Sequence, residues 1–139
     1  MIVRITGITT GTTTTRLTHE DSGATIDTMA PKDNGGEGRL FSPTDLCAAS
    51  LGCCGTTIMS MYAHNTGIPL RSIAFTIEKE MSANPRRIGR LRVNYDIETD
   101  CSDHDFQKLI NAGKTCPLRH SLHPDIVLEE TYARVGGGR

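Results

Sequence analysis

The chain reads as an α+β domain of strands and helices with a long buried helix, two copies of which are expected to intertwine as a homodimer. Three observations lead there. From Leu46 to Ala63 the sequence LCAASLGCCGTTIMSMYA runs for eighteen residues without a charge. Two segments then alternate apolar and polar side chains with period two, the mark of half-buried strands. An ordinary amphipathic helix follows, with Phe106, Leu109 and Ile110 on one stripe. All 139 residues are read as one domain, with 1–11 and 134–139 as flexible ends.

The elements follow in order. Thr12 to Thr18 and Ala24 to Met29 are β-branched runs around Asp21-Ser22-Gly23, which reads as a hairpin turn. Pro31 to Gly36 is a loop. Ser42 caps the long helix, Pro43 fits its first position, and Asp45 completes a capping box. Gly67 and Pro69 end it near Asn65. Ile73, Phe75, Ile77 and Met81 form the apolar side of one strand; Leu91, Val93, Tyr95 and Ile97 form that of the next, after a turn at Asn84-Pro85. Ser102 caps the second helix, which ends near Gly113, and Cys116-Pro117 opens a short third helix. Ile126 to Tyr132 is a last strand.

The long helix predicts the assembly. About 23 residues at 1.5 Å rise give a rod of about 35 Å, as long as a small domain is wide. With no charged face it needs cover on nearly all sides, and one chain has little material for that, so a symmetric partner is expected. Gly52 and Gly55 each cost about 1 kcal/mol in a helix interior, which close helix–helix approach would explain. Serines, threonines and glycines keep the run's hydropathy modest, so it reads as a buried helix and no membrane partner is expected.

Composition narrows the function. With 15 basic and 16 acidic residues there is no basic field to attract nucleic acid. The N-terminus MIVRITGITTG has no apolar core of signal-peptide type. Five cysteines, two of them adjacent, do not suit a secreted disulfide framework, so a reducing, cytoplasmic location is expected.

Cys54 and Cys116 are the candidate chemistry. A thiol in an uncharged helix is ordinary packing, and burial raises its pKa above about 8.5 and makes it inert. No Arg or Lys stands within eight residues of Cys54, so an activating cation must come from elsewhere in the fold. Cys116 is expected at a helix N-cap, where the helix end favours thiolate and Arg119, His120 and His123 follow. Cys116, His120 and His123 at i, i+4, i+7, joined by Cys53 or Cys54, are the competing zinc reading.

Ser42-Pro43-Thr44-Asp45-Leu46, Ala48 to Cys54, and Cys116-Pro117 with Leu122 resemble the OsmC/Ohr family of thiol peroxidases. Ala30 to Gly36 and Arg86 to Arg90 resemble its OsmC-like branch. The resemblance spans about Thr12 to Tyr132 and implies an intertwined α+β dimer, with antiparallel sheets wrapped around a long buried central helix, that reduces organic hydroperoxides. It implies that Cys54 attacks the peroxide, that the sulfenic acid is resolved by Cys116, and that an external dithiol, such as that of a lipoylated protein, reduces the disulfide. No bound cofactor is implied, because sulfur carries the electrons. The resemblance also implies an activating arginine from the N-terminal strands, with Arg16 the first candidate and Arg39 the second. The hydroperoxide-resistance branch orients that arginine with a glutamate where this chain has Thr44; Asp45, one residue on, either takes that role or only caps the helix. The alternative function is a non-catalytic dimer that binds a small apolar ligand or senses oxidants.

Overall fold

β-branched runs build the first part of the chain. In the computed structural model, which describes residues 1–135, they form β1 (Ile5–Thr9), β2 (Thr14–His19) and β3 (Thr25–Met29). The three pair antiparallel in chain order. Gly23, at φ 78°, makes the turn between β2 and β3 and donates its N–H to the His19 carbonyl at 2.8 Å. β1 lies inside the segment expected to be a flexible end. Its ITGIT sequence is short and centred on Gly7, so it gives little strand signal by itself. At the other end, Arg134 and Val135 close the last strand, and the rest of the expected tail, 136–139, lies outside the described residues.

The chain divides into two compact units, Met1–Cys47 and Ala48–Arg139, with the boundary inside the long helix α1 (Pro43–Thr66). α1 starts as its sequence predicts. The Asp45 N–H donates to Ser42 Oγ at 3.1 Å, and the Ser42 N–H donates back to Asp45 Oδ2 at 2.9 Å. Gly67, at φ 74°, ends it.

In the second unit, β4 (Ser72–Ser82) and β5 (Arg87–Glu98) form an antiparallel hairpin that sets Phe75 opposite Tyr95 and Ile77 opposite Val93. α2 (Asp103–Gly113) and α3 (Pro117–Ser121) follow, and β6 (Val127–Val135) joins β5 in parallel. This sheet is therefore mixed rather than antiparallel throughout. A run of residues that includes two helices separates β5 from β6, enough for the crossover that a parallel pair requires.

The core of this unit is one cluster. Ala48, Leu51, Met59 and Ala63 of α1 meet Leu91, Val93, Tyr95 and Ile97 of β5, with Leu109 and Cys116 beside them. The two helix glycines face this sheet, which corrects the helix–helix reading. A Cβ at Gly52 would stand 2.2 Å from Phe75 Cε2, and one at Gly55 2.1 Å from Tyr95 Oη. By length and mean hydropathy, 1.3 over its best window, α1 could cross a membrane, yet its small residues are shaped to receive two aromatic rings from the sheet. Cys53, Thr57, Ser60 and Met61 on the same helix are exposed in the single chain.

Candidate active site

Two elements of the second unit deliver the thiols. Cys54 sits on α1, half-buried against the core, one residue before the glycine that receives Tyr95. Cys116 caps α3: its Sγ accepts the Arg119 N–H at 3.4 Å, and Pro117 fills the first helical position. Cys116 is only 2% exposed. The two thiols, far apart in sequence, hydrogen-bond to each other. Both are free.

Burial pushes the Cys116 thiol up, and the neighbouring Cys54 sulfur pushes it the same way. The Arg119 N–H acts in the opposite direction, as expected of a helix start, but is outweighed. The expectation that this N-cap favours thiolate is thus corrected. A five-residue helix offers little field, and the site takes the sulfur out of water.

Two tyrosines line the pair. Tyr95, 1% exposed, donates its hydroxyl to the Leu51 carbonyl at 3.4 Å. Burial pushes its phenol up to about 12, with the Cys116 and Cys54 sulfurs adding to the effect. Tyr132 stacks on it at 5.0 Å between ring centroids and 13° between planes, and burial likewise raises Tyr132 to about 12. Both phenols are therefore neutral donors near pH 7. Behind them, Arg119 pairs with Glu130, and the Tyr132 hydroxyl donates to the other Glu130 oxygen at 3.2 Å. An open cleft of about 430 Å³ lies between α1 and α2, lined by Ile58, Tyr62, Lys108, Asn111, Ala112 and Thr115. It starts one helical turn beyond Cys54 and reaches the residue before Cys116.

Cys54 and Cys116 are thus brought together. Arg16 belongs to the other unit, on β2, where its guanidinium grips Asp27 at 2.8 and 3.1 Å. Arg39 pairs with Glu37 at 3.1 Å. Asp45 caps α1. Among the described residues no three His, Cys, Asp or Glu side chains converge to hold a metal ion, so the histidines of the zinc reading do not join the sulfurs. Sequence reasoning missed Tyr95 and Tyr132 as neighbours of the thiols, and the Arg119–Glu130 pair. One signal was available. Glu130 shares strand parity with Leu128 and Tyr132, the half-buried side of β6, and a carboxylate there asks for a partner.

The family model described as OsmC-like protein matches residues 36–131. The chain belongs to the OsmC-like protein family. A crystal structure from Psychrobacter arcticus, provisionally named an osmotic stress induced and detoxification response protein, is 32% identical, with 95% of this chain and 96% of that chain covered and a TM-score of 0.88. An OsmC-like protein from Mycoplasma pneumoniae shares 15% identity over 98% of this chain and 99% of its own, with a TM-score of 0.82. An organic hydroperoxide resistance protein from Elizabethkingia anophelis shares 16% identity over 97% of each chain, with a TM-score of 0.76. At these identities the last two establish the OsmC-like fold alone. No curated protein matches this OsmC-like chain.

Proposed function

We propose that this OsmC-like protein serves in the response to oxidative stress as a thiol peroxidase of organic hydroperoxides, with Cys54 attacking and Cys116 resolving. The observation that carries the reading is the hydrogen bond between two free thiols on different elements, beside an open cleft. Membership of the family, and a relative of the same fold named for organic hydroperoxide resistance, support the choice of substrate.

The chemistry balances with sulfur alone. Cys54 thiolate attacks the outer peroxide oxygen, the O–O bond breaks, and the alkoxide takes a proton and leaves as alcohol. Cys54 is now a sulfenic acid. Cys116 displaces its hydroxyl, which departs with the Cys116 proton as water, and a disulfide remains. An external dithiol restores both thiols by exchange, and a reducing compartment such as the cytoplasm would supply it. The apolar part of the substrate is assigned to the cleft at Ile58, Tyr62 and Ala112. Arg16 is the proposed cation for Cys54, on the family resemblance.

The active form is proposed to be a homodimer. Ile5, Ile8, Ile26, Phe41 and Met61 are large apolar side chains more than half exposed in the single chain, which supports a partner's cover.

The test is direct. Reduced protein mixed with cumene hydroperoxide and a small dithiol consumes the peroxide, and Cys54→Ser does not. Equal consumption by the serine variant would overturn the proposal. An inert wild type that still binds apolar probes in the cleft would favour a non-catalytic ligand-binding dimer.

A further inference from the structure

We propose that Arg119, anchored by the carboxylate of Glu130, is a positioning residue that holds the Cys116 thiol against Cys54 for disulfide closure. The inference rests on the thiol-pair reading above and deepens it. Strand β6 carries an oddity. Leu128, Glu130 and Tyr132 share one side of the strand, and the Glu130 side chain is only 8% exposed. A carboxylate so placed is strongly disfavoured unless it is paired and hydrogen-bonded. Arg119 satisfies one oxygen and the Tyr132 hydroxyl the other.

The pair ties α3 to β6. Helix α3 has five residues, too few to hold its own shape through backbone hydrogen bonds. The residue whose guanidinium is tethered is also the residue whose N–H reaches Cys116 Sγ, at 3.4 Å. Fixing the side chain therefore fixes the direction of that N–H, and with it the side on which the Cys116 sulfur rests. Closure needs this, because the Cys116 sulfur must displace hydroxide from the Cys54 sulfenic acid in line while its own proton goes to the departing oxygen. The first chemical step, at Cys54, does not involve Arg119.

The experiment separates the two steps. In a Cys47→Ser, Cys53→Ser background, the full chain is mixed with the aromatic disulfide 5,5′-dithiobis(2-nitrobenzoate). Attack by Cys54 releases one nitrothiophenolate. Closure by Cys116 releases the second. Arg119→Gln and Glu130→Gln should leave the first phase unchanged and slow the second by about tenfold, the scale of a small misplacement of reacting groups. The double variant should be no slower than either single one, and Arg119→Lys should recover part of the rate. The same split should appear with cumene hydroperoxide, with the sulfenic acid of the slowed variants trapped by dimedone.

A second phase at the wild-type rate in both variants overturns the proposal, as does equal slowing of both phases. Circular dichroism identifies a variant that fails to fold, and Tyr132→Phe then serves in its place, since it removes one Glu130 partner while keeping the ring stack; it should slow closure less than Arg119→Gln, and unchanged closure counts against the proposal. A wild type inert to hydroperoxide but closing normally with the aromatic disulfide overturns the peroxidase reading alone.

Discussion

Replacing Gly55 with alanine tests how the thiol site is built. The new Cβ would stand 2.1 Å from Tyr95 Oη, 2.8 Å from Cζ and 3.2 Å from Cε1. Carbon atoms in contact settle near 3.5–4.0 Å, so the ring must withdraw by more than an ångström or α1 must lift from the sheet. Alanine itself favours the helix by about 1 kcal/mol over glycine. Against that, overpacking costs about 1–3 kcal/mol, and the Tyr95–Leu51 hydrogen bond is worth about 1 kcal/mol. The expected net destabilisation is about 1–3 kcal/mol, or roughly 3–12 °C in Tm for a chain of this size. Urea unfolding followed by circular dichroism measures it. Combining Gly55→Ala with Tyr95→Phe should recover part of the loss, because the worst contact is to the hydroxyl oxygen. A Gly55→Ala protein as stable as wild type, or more so, would mean that helix propensity governs this position and that the ring is not seated on the glycine.

Three further outcomes follow from other parts of the fold. Tyr95 and Tyr132 are raised to about 12 from 10.0, so the folded state holds their protons more tightly than the unfolded chain does. Stability is therefore fully present below pH 10 and declines as pH rises from about 10 to about 12, on the order of 2 kcal/mol for Tyr95; urea midpoints across that range should fall, and less steeply for Tyr132→Phe. Ser42→Ala removes the acceptor for the Asp45 N–H and should cost about 1 kcal/mol, read as a lower urea midpoint. Arg16→Gln should slow sulfenic acid formation in stopped-flow with hydroperoxide and leave closure untouched, while the loss of its solvent-screened pair with Asp27 should leave the urea midpoint almost unchanged; an unchanged first step would remove Arg16 from the mechanism.

Much of this was legible because the signals are local. The Ser42–Asp45 and Ser102–Asp105 caps, the β4–β5 alternation and the Cys116-Pro117 helix start each sit within a few residues, and local hydrogen bonds or pleat parity enforce them. What was not legible depends on partners distant in sequence. Gly52 and Gly55 announce close approach but do not say what approaches; only the fold shows Phe75 and Tyr95 there. The β6 segment announces a strand but not its direction beside β5. At Cys116 the helix end was visible and the burial was not, and burial dominates the thiol. Glu130 lies between these cases. Its parity on β6 marks it as anomalous, yet its partner Arg119 can be named only once α3 is placed.

The most direct measurement is the mass of the cysteine peptides after one equivalent of organic hydroperoxide is added to fully reduced protein under non-reducing digestion. Joined peptides carrying Cys54 and Cys116, formed in step with loss of the peroxide, are the expected result. Peptides that stay separate, with oxidation spread over Cys47, Cys53 and Cys101 instead, would contradict it.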